Sequence, residues 1–229
     1  RRDYQTYPFK NMKIIFHIIT IFPEAFESFL EMSIIGRARE KWLFEVKLYK
    51  LSDFSKKKFG QVDDKAFGMH GQVLSPEPLS NAIEFIFESE WKKLPLLYFS
   101  PRGEVLTQKY TETFAKTHRE CILICGHYEG IDERIIKLYD IELLSIGNYI
   151  LSGGELAAQV LLDSVVRHIP WVLGNPLSLE EESFSSVFSG KKEHPVYTRP
   201  AEFHGLKVPE VLTSGNHAAI KAWKYSNLS

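Results

Sequence analysis

The sequence lacks the marks of several common protein classes. It has only two cysteines, Cys121 and Cys125, which lie four residues apart in the apolar run ECILIC. A pair this close in a predicted strand cannot build a disulfide framework, so we interpret both as core thiols of a reducing compartment. No apolar run approaches the ~18 residues that a membrane-spanning helix needs. These absences predict a cytoplasmic protein without a membrane partner.

The first residues, RRDYQTYPFKNM, lack the apolar segment of a secretory signal. Met12 precedes the strand-like run KIIFHIITIF and is typical of a start residue. We therefore predict that residues 1–11 are an extension or a tag.

Two phosphate-binding motifs are also missing. Neither the dinucleotide fingerprint G-x-G-x-x-G nor the phosphate loop G-x-x-x-x-G-K-[ST] occurs. This excludes a nucleotide-dependent Rossmann enzyme with its usual fingerprint. The net charge of −1 gives no global attraction for a polyanion. A nucleic acid would have to bind local basic groups. The candidates are Lys56, Lys57, Lys58, Lys191, Lys192, Arg199, Lys221 and Lys224.

Predicted strands and helices alternate through the first three quarters of the chain. Apolar runs predict strands over 13–22, 44–51, 96–100, 121–125 and 141–147, with helical spacing between them. This order indicates an α/β domain with a largely parallel sheet. The polar, aperiodic segment 52–79 predicts a long loop. Near the end, Ser214 or Asn216 is expected to cap a helix that continues to Trp223.

Glycine-bearing segments follow three of the predicted strands. They read SPRGE, GHYEG and SIGNYILSGGE. Ligands of open α/β sheets bind beyond the carboxyl ends of the strands, and glycine lets a backbone turn tightly or touch a ligand. The three segments therefore predict one composite pocket that reads its ligand through backbone groups.

The same segments carry a family resemblance. In order, the chain contains IFPEAF, SPRG, GHYEGIDERI, SIGNYILSGGELAA, DSVVRHIPWVLG, EESF, YTRP and VPEVLTSGNHAAI. From Met12 nearly to its end it resembles the bacterial tRNA (guanine-N1)-methyltransferase family, of the knotted (SPOUT) class of S-adenosylmethionine-dependent enzymes. The resemblance implies methyl transfer from S-adenosyl-L-methionine to N1 of the guanine 3′ of the anticodon. It also implies a homodimer whose active sites combine both subunits.

The resemblance divides the chain into three parts and assigns the pocket. Residues 12–174 would form the parallel-sheet catalytic domain with a trefoil knot, 175–195 a flexible linker, and 196–229 a small helical domain that binds tRNA. No metal site is implied. The implied donor-binding residues are Phe99, Pro101, Gly126, Tyr128, Glu129, Gly130, Ser145, Ile146, Gly147, Asn148, Tyr149, Ile150, Leu151, Gly153 and Gly154.

Methylation of guanine N1 needs a general base for the N1 proton and a cation or donor near the charge that develops on O6. The resemblance places the base at Glu182, where the family has aspartate, and the assisting cation at Arg167. Glu181 is the competing base. The resemblance places Asp63, Asp64 and Arg199 at the tRNA.

Besides Glu182, three further departures from the family pattern occur. His127 replaces an arginine, Asn148 replaces an aspartate, and the glycine-rich loop is shortened to VDDKAFGMHGQVL. Glu182 and the shortened loop leave a non-catalytic RNA-binding relative as an alternative, and a knotted methyltransferase of another RNA base is a second one. The motifs YTRP and SGNHAAI favour a tRNA (guanine-N1)-methyltransferase over a methyltransferase of another RNA base.

Overall fold

A computed structural model describes residues 13–229 of the chain. The chain divides into two compact units, of which the first ends at Leu173 and the second comprises Gly174–Ser229. Residues 1–11, predicted to be an extension, lie outside the described part.

Within residues 13–229, nine strands occur in three sheets. Five parallel strands form the main sheet in the order β2-β1-β6-β5-β7, and the other four pair as two short hairpins, β3-β4 and β8-β9. This confirms the α/β class with a parallel sheet. The strands are β1 (Ile14–Thr20), β2 (Phe44–Lys50), β3 (Asp63–Lys65), β4 (Gln72–Leu74), β5 (Leu96–Val105), β6 (Glu120–Ile124), β7 (Glu142–Ser145), β8 (Glu202–Phe203) and β9 (Leu206–Lys207).

Helices cover both faces of the main sheet. Side chains of α1, α2, α4 and α6 pack on one face, and those of α3 and α5 pack on the other. Each strand supplies both layers because successive side chains alternate; Ile18 of β1 faces the first layer and Ile19 the second. The helices are α1 (Glu27–Glu31), α2 (Ser33–Glu40), α3 (Pro76–Glu90), α4 (Gln108–Thr117), α5 (Glu133–Tyr139), α6 (Glu155–Val166), α7 (Glu210–Thr213) and α8 (His217–Ser226).

Both cysteines are core thiols, as expected. Cys121 and Cys125 are free and buried against the first layer of helices. Burial raises the pKa of both thiols, most strongly through loss of solvation of the charged form. They are therefore neutral packing groups.

The prediction of a long loop over 52–79 is wrong in part. The segment contains single 3₁₀ turns at Leu51–Phe54 and Lys58–Gly60, followed by the β3-β4 hairpin. Helix α3 begins at Pro76 instead of near Ser80, since proline fits the first helical position, where its missing N–H costs nothing. Strands of three residues are too short to show a two-residue period, which is why the pattern missed them.

Strand β5 also extends further than predicted. It does not end at Ser100 but continues to Val105, and both Phe99 and Glu104 lie opposite Leu144 of β7. The residues between them therefore bulge out of the sheet as an irregularity within the strand.

In the second unit, part of the predicted linker packs against α8. Phe188 is buried, and its ring meets that of Tyr225 edge-on with centroids 6.0 Å apart. Lys192 exchanges two backbone hydrogen bonds with Ser229. Asn216 caps α8, its side chain accepting from Ala219 N at 3.1 Å.

Between residues 13 and 229, none of the helices combines the length and apolar character required to cross a membrane.

Candidate active site

A cavity of about 280 Å³ lies at the carboxyl ends of β5, β6 and β7. Its walls are the bulge of β5 and the two segments that follow β6 and β7, which are the three glycine-bearing segments of the sequence. The structure brings all the predicted pocket residues except Asn148 to this cavity. Six further lining residues were not predicted: Tyr98, Ser100, His127, Leu144, Ser152 and Ala157.

Glycines at the cavity allow chain segments to cross at close range. Gly154 N donates to Gly126 O at 2.9 Å, and a Cβ on Gly154 would lie 2.7 Å from Cys125 Cα. A Cβ on Gly126 would lie 2.6 Å from the ring of Tyr98. Real Cβ atoms do not make such contacts, so this part of the wall requires glycine.

The segment after β7 is held in shape by its own hydrogen bonds. Ser145 Oγ donates to Gly147 O at 3.1 Å, and Tyr149 Oη donates to Ile146 O at 3.1 Å. Gly147 adopts a φ of +148°, a conformation that side chains rarely take. The wall is therefore formed before any ligand binds.

The β3-β4 hairpin is attached to the cavity wall. Gln72 O accepts from Glu129 N at 3.0 Å, and Leu74 N donates to Gly130 O at 2.9 Å. Gly71 lies under the Glu129 side chain, so that a Cβ there would be 2.7 Å from Glu129 Cγ. The shortened loop therefore helps to set the position of Glu129.

Asp63 and Asp64 lie on this hairpin in different surroundings. Asp63 is buried, whereas Asp64 is exposed and pairs with Lys57 Nζ at 3.0 Å. The hydrogen bond from Lys57 lowers the pKa of Asp64. Asp64 is thus a paired anion, and a role at tRNA stays a prediction.

The predicted catalytic residues belong to different units. Arg167 directly follows α6 in the first unit and is half-buried, a position where a cation also suits the helix terminus. Glu182 lies in the second unit and is half-buried, and its carbonyl accepts from Ser185 N at 3.1 Å. Arg199 is exposed in the second unit.

Glu181, the competing base, is engaged elsewhere. Its Oε2 lies 2.6 Å from Lys224 Nζ on α8, and this hydrogen bond lowers the pKa of the Glu181 carboxyl. A carboxylate whose charge is stabilised by a lysine is a weaker proton acceptor. The ion pair therefore makes Glu181 a weaker candidate for the base.

One group of side chains with metal-ligand chemistry occurs within residues 13–229, at the opposite end of β6 from the cavity. His17 Nε2 is 2.9 Å from Glu120 Oε1 and 3.9 Å from Glu90 Oε1. Lys47 and Lys92 pair with these carboxylates. The lysines already balance the negative charge, so the group is a structural ion-pair network.

Comparison with known proteins identifies the family. Residues 12–228 match the family model described as tRNA (guanine-1)-methyltransferase TrmD. The chain belongs to this family. It is 48% identical over 212 residues to the tRNA (guanine-N(1)-)-methyltransferase of Caldanaerobacter subterraneus subsp. tengcongensis, covering 92% of this chain and 85% of the relative. It is 46% identical to the enzyme of the same name from Clostridioides difficile, over 91% and 90% of the two chains.

A solved structure agrees with this assignment. The tRNA (m1G37) methyltransferase from Aquifex aeolicus superposes with a TM-score of 0.75 at 38% identity, covering 93% of this chain and 88% of the other. The family resemblance read from the motifs is therefore confirmed, and the chain is a tRNA (guanine-N1)-methyltransferase.

Proposed function

We propose that this enzyme takes its methyl group from S-adenosyl-L-methionine and delivers it to N1 of the guanine 3′ of the anticodon. The observation that carries the proposal is the preformed cavity at the ends of β5, β6 and β7, with glycine crossings where side chains would block it. The test is methyl transfer to unmodified tRNA, with a transcript lacking that guanine as control. Transfer to the control tRNA at the same rate would contradict the proposed position.

The residues that line the cavity fit S-adenosyl-L-methionine. Backbone groups and the apolar faces of Phe99 and Leu151 suit an adenosine without phosphates, and Glu129 offers a negative charge to a sulfonium cation. The volume lies near the lower end of the range for small-molecule sites. When bound, the cofactor supplies an electrophilic methyl group.

The close crossings support the proposal that the first unit contains a trefoil knot. Besides the contact of Gly154 with Cys125 and Gly126, a Cβ on Gly103 would lie 2.4 Å from the Leu143 carbonyl carbon. Chain segments far apart in sequence thus touch backbone to backbone around one cavity. Knots are rare exceptions among protein folds.

Glu182 and Arg167 are the proposed catalytic pair. Glu182 would accept the N1 proton of guanine, and Arg167 would stabilise the negative charge that then develops on O6. The choice of Glu182 follows from its place in the motif EESF, and Glu181 is paired with Lys224.

A homodimer is the proposed assembly. Three apolar side chains that line the cavity are exposed, which favours a partner surface; they are Tyr128, Tyr149 and Ile150. Light scattering at micromolar concentration tests whether the mass is that of a dimer.

A cytoplasmic location agrees with tRNA as the substrate.

Salt dependence tests the proposed contacts to tRNA. Lys191, Lys192, Arg199 and Lys221 are all exposed in the second unit. If these four cations neutralise phosphates, the affinity for tRNA should fall about 50-fold between 50 and 200 mM salt. Fluorescence anisotropy measures this slope, and a flat profile would rule out the phosphate contacts. Lys207, also exposed in this unit, serves as the control: Lys207→Gln should leave the slope unchanged.

Substitution of Gly71 tests the link between the hairpin and Glu129. We expect Gly71→Ala to lower donor affinity about tenfold. The new Cβ would displace the Glu129 side chain, whose negative charge would then lie farther from the sulfonium cation of the donor. Gly68→Ala is the matched control: it also has positive φ, but nothing lies within 4 Å. Equal losses in the two variants would mean that backbone strain alone is responsible. Calorimetry measures both.

A further inference from the structure

His127 carries an enclosed nitrogen in the cavity wall. Its Nδ1 is buried, and no hydrogen-bond partner for it occurs in the part of the chain that the structure describes. The nearest opposite charge is Glu155 Oε2, at 3.5 Å. The ring is held by the edge contact of Phe22, with centroids 5.0 Å apart. A buried nitrogen without a partner is costly, and a proton on Nδ1 directed to Glu155 would remove that cost.

Glu155 is buried and held in place to accept that hydrogen bond. It is the first residue of α6 and is only 7% exposed. Its Oε1 accepts from Thr20 Oγ1 at 2.6 Å, and Thr20 Oγ1 in turn accepts from Phe22 N at 3.0 Å. The other oxygen, Oε2, is therefore the one directed toward His127.

Gly153 makes the approach of the two side chains possible. A Cβ there would lie 2.1 Å from His127 Cε1 and 2.5 Å from Glu155 Oε2. His127 and Gly153 also form an antiparallel bridge. The pair thus joins the segment after β6 to the start of α6, which are two walls of the same cavity.

The other groups around the imidazole leave Glu155 as its charged partner. The rings of Phe22 and Tyr128 lie edge-on to it, with centroids 5.0 and 6.0 Å away. Burial and the charge of Glu155 raise the pKa of Cys125, which keeps that thiol neutral. Glu129 lies against Gly71 of the hairpin.

We propose that His127 is a positioning residue of the donor site, which donates from Nδ1 to Glu155 and so fixes the cavity wall. The inference rests on the proposed donor site. With the Nδ1 proton directed at Glu155 Oε2, the buried nitrogen and the buried carboxylate satisfy each other, and the segment after β6 stays joined to the start of α6. Arginine at this position would offer the same carboxylate a charged donor.

The test is the affinity of a set of variants for S-adenosyl-L-methionine, measured by calorimetry at one pH. We expect His127→Phe, which keeps a ring but has no donor, and Glu155→Gln each to bind about three- to tenfold more weakly than the unmodified enzyme. The double variant should bind no more weakly than either single variant, since both substitutions remove the same pair. His127→Arg, which keeps a donor for Glu155, should restore most of the affinity.

A control at a distant histidine separates the possible outcomes. His118→Gln, at a histidine stacked on Phe114 outside the cavity, should bind the donor as the unmodified enzyme does. If the losses of the two single variants add in the double variant, or if neither single variant loses affinity, the inference is overturned and the donor site stands. If none of the proteins binds, the donor site itself is refuted, and the inference with it.

Discussion

Replacement of Glu182 by glutamine is expected to slow single-turnover methyl transfer about 100-fold or more, since general-base catalysis contributes at least that factor. Glutamine keeps the size of the side chain but cannot accept the N1 proton. Donor affinity should be unchanged, because Glu182 is proposed to act on the guanine and not on the donor. Rapid-quench kinetics with excess enzyme isolates the chemical step from product release.

Two matched variants sharpen this result. Glu181→Gln alters the neighbouring carboxylate, which is paired with Lys224, and should change the rate only a few-fold. Glu182→Asp keeps a carboxylate at this position and should retain activity. An unchanged rate in Glu182→Gln, or a larger loss in Glu181→Gln, would show that Glu182 is not the base.

Replacement of Gly154 by alanine is expected to lower donor affinity at least tenfold and stability by about 1–3 kcal/mol, the usual cost of overpacking. The new Cβ would meet Cys125 Cα at 2.7 Å and Gly126 N at 2.9 Å. Both are backbone atoms, so no side-chain rotation can relieve the contact, and the cavity wall must move.

Gly174→Ala provides the control for this substitution. Gly174 has nothing within 4 Å of an added Cβ, and its φ is not in the positive range. Its stability and donor affinity should match those of the unmodified enzyme. Calorimetry measures donor affinity, and thermal unfolding measures stability. Unaltered donor binding in Gly154→Ala would show that the close crossing at Gly154 does not shape the cavity.

The main sheet was predictable because its strands carry their own signal. The apolar run at β1 and the buried run at β6 are long enough to identify without tertiary information. The β3-β4 hairpin gave no such signal, since it pairs only three residues per strand and is attached through Gln72 to Glu129, far along the chain. Its formation depends on the cavity segment, which a local pattern does not contain.

The cavity was predictable at the level of segments, since glycine clusters after strands mark places where the backbone approaches a ligand. Individual contacts were not. The proximity of His127 and Glu155 depends on the crossing at Gly153, and the engagement of Glu181 joins residues 43 positions apart. Such pairs arise from tertiary packing and leave no periodic trace in the sequence.

A crystal structure of the enzyme with S-adenosyl-L-homocysteine, the demethylated product of the donor, tests the central claim most directly. We expect density for the ligand in the cavity at the ends of β5, β6 and β7, in contact with Gly126 and Gly154. Density at another place in the chain, or an empty cavity at saturating ligand, would contradict it.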